Sequence, residues 1–135
     1  MASKNTTHLA GEFLVAGELS RRGYPVSITF GNAKSVDIYA DARKRTIKVD
    51  AKAGRGKGNW PIEESYVDKD VYYIFVYLQT QNRIKKNVAP EYFVVSGEEI
   101  LSKKLIRTWK TRQGITYSTL NTADYKERWD KLPQP

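Results

Sequence analysis

Three observations predict an α/β domain with helix packed on sheet. An apolar stripe at helical spacing opens the chain, three short alternating segments follow it, and Val71 to Leu78 is an unbroken apolar, β-prone run. The length of 135 residues suits one domain spanning 1–135. A core of that size buries roughly two thirds of the surface exposed by the unfolded chain, so neither metal nor disulfide is needed to hold the fold.

The opening helix runs from Thr6 or Thr7 to Arg22, with Leu9, Phe13, Ala16 and Leu19 on one stripe and Gly23 closing it. Val26, Ile28 and Phe30 then alternate with polar residues and end at the turn Gly31-Asn32, which predicts an edge strand entered through Pro25. Val36 to Ala40 forms a second strand, and Asp41 to Arg45 a charged turn. In the third strand Ile47, Val49 and Ala51 alternate with Lys48, Asp50 and Lys52 at a period of two, completing a meander.

Residues 54–59, Gly-Arg-Gly-Lys-Gly-Asn, predict a flexible basic loop rather than regular structure. Val71 to Leu78 is the expected central strand, covered on both faces. Tyr92 to Val95 adds a strand, and Ser96-Gly97-Glu98-Glu99 is a capping box that opens a helix carrying Ile100, Leu101, Leu105 and Ile106, with Gly114 ending the region. A last helix from about Thr122 to Lys131 puts Tyr125, Trp129 and Leu132 at packing spacing.

Composition narrows the chemistry. With no Cys and one His, thiolate zinc sites, iron–sulfur clusters, cysteine nucleophiles and histidine triads are set aside, leaving carboxylates, Lys, Arg, Ser, Thr and Tyr. The lone His8, just before the apolar stripe, reads as a surface or packing residue. No apolar stretch of signal-peptide length opens the chain, and the longest apolar run falls short of the ~20 residues that span a bilayer, so a soluble, cytoplasmic protein without membrane contact is expected. There are 23 Lys and Arg against 15 Asp and Glu, a net charge of +8, spread along the chain. That surplus makes nucleic acid the first partner to consider.

Side chains two apart on a strand share a face, so Asp50 and Lys52 project together while Val49 and Ala51 turn to the core. Asp37, between Val36 and Ile38, faces away from the core and meets Asp50 if the two strands are neighbours. Glu12 stands at the margin of the helical stripe, where it either points toward the sheet or remains solvated. Three carboxylates and a lysine together suit a hard cation, Mg2+ or Mn2+, and phosphodiester cleavage. The plain alternative is a same-face Asp50–Lys52 salt bridge.

The tripeptide acid-x-Lys carries little weight alone, because Asp124-Tyr125-Lys126 repeats it in a predicted helix. Strand context is what distinguishes Asp50-Ala51-Lys52. Nearby, Lys48, Arg55 and Lys57 are candidate phosphate contacts. Trp60 either stacks on an unpaired base or caps the core. Lys103, Arg107 and Lys110 fall on one face of the predicted C-terminal helix as a further candidate phosphate surface, a solvated face being the default.

Glu12 on a first helix, Val36-Asp37 on a strand and Asp50-Ala51-Lys52 on the next resemble the PD-(D/E)XK nuclease superfamily. The helical Glu is most similar to the archaeal Holliday junction resolvase branch and its restriction-endonuclease-like relatives. The resemblance covers roughly residues 5–95. It implies an αβββαβ core, a central mixed sheet flanked by helices with C-terminal helices added, and a core helix drawn from Ile62 to Asp70. It further implies metal-dependent hydrolysis of DNA, with Glu12, Asp37 and Asp50 as ligands of Mg2+ or Mn2+ and Lys52 as the catalytic lysine. A homodimer follows from the same analogy. The residues do not separate DNA from RNA. A non-catalytic nucleic-acid-binding module on the same fold, or a basic subunit docking on an acidic partner, competes with the nuclease.

Overall fold

The computed structural model describes residues 4–32, 35–56, 58–78 and 86–135. It is a mixed α/β fold in which helix α1 (Lys4–Arg21) packs on a five-stranded sheet, with a three-stranded sheet on the other side. The strands of the large sheet are β1 (Val26–Asn32), β2 (Ser35–Asp41), β3 (Thr46–Arg55), β5 (Tyr72–Leu78) and β6 (Glu91–Ser96), in the order β1-β2-β3-β5-β6. The smaller sheet runs β4-β8-β7, from β4 (Asn59–Pro61), β8 (Arg112–Thr116) and β7 (Arg107–Trp109).

The first three strands are the predicted antiparallel meander, with β1 at the edge. From β3 the chain crosses over and returns as β5, parallel to β3, in the register Val49↔Tyr72 to Arg55↔Leu78. A parallel partner requires such a crossover. Among the described residues it contains β4 and a 3-10 turn, η1 (Glu64–Tyr66), where an α-helix from Ile62 to Asp70 was expected. Trp60 explains the difference: once β4 pairs with β8 (Trp60↔Ile115), the sheet face is already covered, and no helix is needed to bury it.

Two apolar layers result. Val15, Ala16 and Leu19 of α1 pack on Ile38, Ala40, Ile47, Val49, Ala51, Ile74 and Val76. Behind the sheet, Tyr73, Phe75 and Tyr77 pack with Phe93, Trp60 and Ile115. Strand β5 is thus covered on both faces, as its apolar run predicts, although β3 is the middle strand. Gly11 lets α1 approach β3, since a Cβ there would run into the Ala53 Cβ.

Several boundaries differ from expectation. Gly54 and Arg55 belong to β3, paired with Tyr77 and Leu78, instead of opening a loop. A Cβ on Gly54 would stand 3.3 Å from the Trp60 indole nitrogen, so this glycine serves close packing. The capping box at Ser96 forms as predicted, but its helix, α2 (Gly97–Ser102), is short and Lys104 turns the chain with φ 51°. The segment that follows is the β7–β8 hairpin, with Gly114 inside β8. A short helix, α3 (Tyr117–Leu120), follows, and the last predicted helix is replaced by turns and a 3-10 segment, η2 (Trp129–Lys131). Tyr125, Trp129 and Leu132 are nevertheless buried as their spacing predicts. Among the described residues no helix is long and apolar enough to cross a membrane.

Candidate active site

The site begins where β2 and β3 part. Their ladder runs from Asp41↔Thr46 to Ile38↔Val49, and one further step would set Asp37 opposite Asp50. There β3 turns its pairing to β5, so the two acids flank a fork in the sheet. Ile38 and Val49 are buried under α1, and alternation therefore sends Asp37, Lys48, Asp50 and Lys52 to the opposite face. Lys48 Nζ lies 3.8 Å from Asp37 Oδ1, and Lys52 Nζ lies 3.6 Å from Asp50 Oδ1. All four side chains remain part-exposed, accessible to a ligand.

Behind Asp50 in the sheet stands Tyr73. Its hydroxyl accepts the Asp68 backbone N–H at 2.9 Å. Burial pushes the Tyr73 phenol above its ordinary value; the Asp68 hydrogen bond works against this, and the charge of Asp50 adds to it.

Glu12 approaches from the other side of the sheet. It lies in the stripe of α1 that packs on the strands and is 2% exposed, the buried charged side chain among the described residues. Burial of a carboxylate is costly unless it is compensated. One turn earlier on the helix, His8 Nε2 is 2.8 Å from its Oε1. The solvated alternative for Glu12 is thereby overturned. Among the described residues no group of three or more His, Asp and Glu side chains is gathered as a metal cage.

A groove of about 860 Å³ opens beside β3. Asp50, Lys52 and Arg55 of β3 line it together with Tyr66, Trp109 and Arg112. Arg55 is held in place by its Nε, which donates to Thr7 Oγ1 at 3.0 Å.

The other candidates divide. Trp60 is 2% exposed, its Nε1 donates to the Val76 carbonyl at 3.1 Å, and its ring meets Phe75 and Phe93 edge-on. It is a core residue, and base stacking by Trp60 is ruled out. Lys103, Arg107 and Lys110 share no helical face: the first follows the end of α2, the second is in β7, and the third turns the hairpin with φ 53°. Lys103 lies beside Glu99, at 3.7 Å, and over the Tyr125 ring. Lys57 falls outside the described residues. Tyr66 and Trp109, both lining the groove with Arg112, were not singled out by the sequence. The mixed segment Arg107-Thr-Trp-Lys-Thr-Arg112 lacks apolar alternation, so only its lone Trp among cations pointed to it.

No family model, curated protein or solved structure matches the chain.

Proposed function

We propose that the protein is a divalent-metal-dependent nuclease with a restriction-endonuclease-like core, hydrolysing phosphodiester bonds of DNA. The observation that carries this reading is the fork: Asp37 on β2 shares one sheet face with Asp50 and Lys52 on β3 where the ladder ends, and Asp50 and Lys52 border an open groove. The order of elements supports it, being a helix, an antiparallel meander, a crossover and a strand parallel to the third.

The fork fits a hard cation, because Mg2+ takes one or two carboxylates and completes its shell with water and substrate phosphate. Asp37 and Asp50 are the residues that would hold it; Glu12, buried on the α1 side of the sheet, would act from behind them and not as a ligand. When bound, such an ion polarises the phosphate and offsets charge on the leaving oxygen. In hydrolysis a water oxygen bonds to phosphorus as the bond to the leaving oxygen breaks; one proton leaves the water and one reaches the leaving group. Lys52, its ammonium held near Asp50, stabilises the added negative charge on the phosphoryl oxygens. Arg55 and Arg112 grip neighbouring phosphates along the groove.

The ion pairs Asp37–Lys48 and Asp50–Lys52 favour a second reading, a binding module whose acids are satisfied by lysines. Nicking of supercoiled plasmid separates the two. With Mg2+ the nuclease converts plasmid to open circles, and Asp50→Ala and Lys52→Ala each reduce the rate by at least about a hundredfold. Plasmid bound but uncut by the wild type favours the binding module.

A further inference from the structure

We propose that the groove beside β3 takes an unpaired stretch of nucleic acid, its bases stacking on Trp109 and Tyr66. The inference rests on the reading of the fork as a nucleic-acid site and names the form of strand that enters it.

Large apolar side chains left in water mark contact surfaces when they converge, whereas scattered ones mean little. Trp109 is 40% exposed and Tyr66 80%, and both line the groove that holds Asp50 and Lys52. The other two tryptophans are buried. Trp60 is hydrogen-bonded in the core, and Trp129 donates to Glu127 beneath the Arg22 guanidinium. Neither Trp109 nor Tyr66 belongs to either apolar cluster.

The two rings are also held on connected supports. Trp109 pairs with Arg112 across the β7–β8 hairpin. Gln113, next in that hairpin, accepts the Ile62 N–H on its carbonyl at 3.2 Å and the Glu64 N–H on its side-chain oxygen at 2.9 Å. Those bonds tie the turn bearing Tyr66 to the strand facing Trp109, so the backbone positions that carry the two rings are set before any ligand arrives. Preorganisation of this kind lowers the ordering cost of binding.

Charge selects the ligand. Lys52, Arg55 and Arg112 offer cations around the aromatic faces, with Asp50 and Glu63 on the same rim, and the whole chain carries +8. Aromatic platforms interleaved with cations bind single strands, since each base offers a π-face and each nucleotide a phosphate. Paired bases are already stacked on one another and present no free face. An unpaired segment at a loop, end or junction fits; an unbroken duplex does not. The volume lies within the range that encloses a compact ligand, so a short run of bases enters rather than a helix.

The test is binding without cleavage, in EDTA, followed through tryptophan fluorescence and through anisotropy of the labelled nucleic acid. The probes are oligothymidylate and oligouridylate of roughly a dozen nucleotides and a blunt duplex of equal length. Either single strand is expected to quench the emission of the exposed Trp109 and to bind more tightly than the duplex; the two arms tell DNA from RNA. Trp109→Ala is expected to weaken single-strand binding by about tenfold or more, Trp109→Phe to keep most of it, and Tyr66→Ala to weaken it by about fivefold or more. Because Tyr66 and Trp109 lie on different elements, a folding defect in one variant leaves the other to decide. Unchanged single-strand affinity in both alanine variants, equal affinity for duplex, or binding of polyglutamate in place of oligonucleotides overturns the inference. Trp109-dependent binding by a protein that never cuts sustains the groove and sinks the nuclease, whereas cutting with unaltered binding in both alanine variants does the reverse.

Discussion

Glu12 is the buried charged side chain among the described residues. A good helix former at the edge of an apolar stripe is ordinarily solvated, yet this one is buried on the sheet-facing side of α1, with His8 Nε2 2.8 Å from its Oε1. Proteins keep such costly groups where function uses them, at the expense of stability. Replacing the carboxylate with its neutral isostere therefore separates the two demands. Glu12→Gln is expected to melt at the same or a higher temperature than the wild type at neutral pH, while its metal-dependent nicking falls at least about tenfold. A lower melting temperature with unchanged nicking would assign Glu12 to structure alone. The sequence exposed Asp37, Asp50 and Lys52 readily, because a strict period of two states which side chains share a face. It did not expose the burial of Glu12, since the width of a helical stripe depends on how closely the helix sits on its sheet. Here that approach is set by Gly11 against Ala53.

Elements with a strong local signal were legible: α1, the meander, the covered strand β5 and the capping box at Ser96. Those decided by distant partners were not. Strand β4 exists because Trp60 and Ile115 bury each other from positions 55 residues apart in the chain, and the hairpin β7–β8 has no apolar alternation to announce it. Removing the Trp60 ring should consequently cost stability at the scale of large core truncations. Trp60→Ala is expected to lose about 3–5 kcal/mol in a denaturant titration. A loss below about 1 kcal/mol would show that the small sheet does not anchor the crossover. The C-terminal segment is tied down differently. Lys131 Nζ lies 2.8 Å from Glu99 Oε2, and Glu99 also takes the Ser96 N–H. Burial raises the Glu99 pKa, but the Lys131 hydrogen bond, the Ser96 N–H and the charges of Lys131 and Lys103 outweigh it and hold the carboxyl below its ordinary value of 4.5. A depressed carboxyl contributes stability in full above its unfolded value and loses it as pH falls through the folded one. Wild-type stability should thus decline below about pH 4.5 more steeply than that of Lys131→Met; parallel curves would contradict this.

Taken whole, the molecule is a basic body whose two apolar layers leave one sheet face with a fork of acids, of which Asp50 borders a groove together with Lys52. The net charge of +8 draws polyanions to any part of the surface. The fork and the groove are what confine chemistry to one place. The cleft could not be seen in the sequence, because its far wall is built by Trp109 and Arg112, more than fifty residues beyond Lys52 and brought back only by the pairing of β8 with β4. The most direct test incubates the wild type and Asp50→Ala with labelled plasmid, duplex, four-way junction, single-stranded DNA and RNA, each with Mg2+, Mn2+ or EDTA. The account predicts cutting by the wild type that requires the metal, is lost in Asp50→Ala and is concentrated at or beside unpaired nucleotides. Intact substrates in every metal condition, or cutting that survives Asp50→Ala or EDTA, would contradict it.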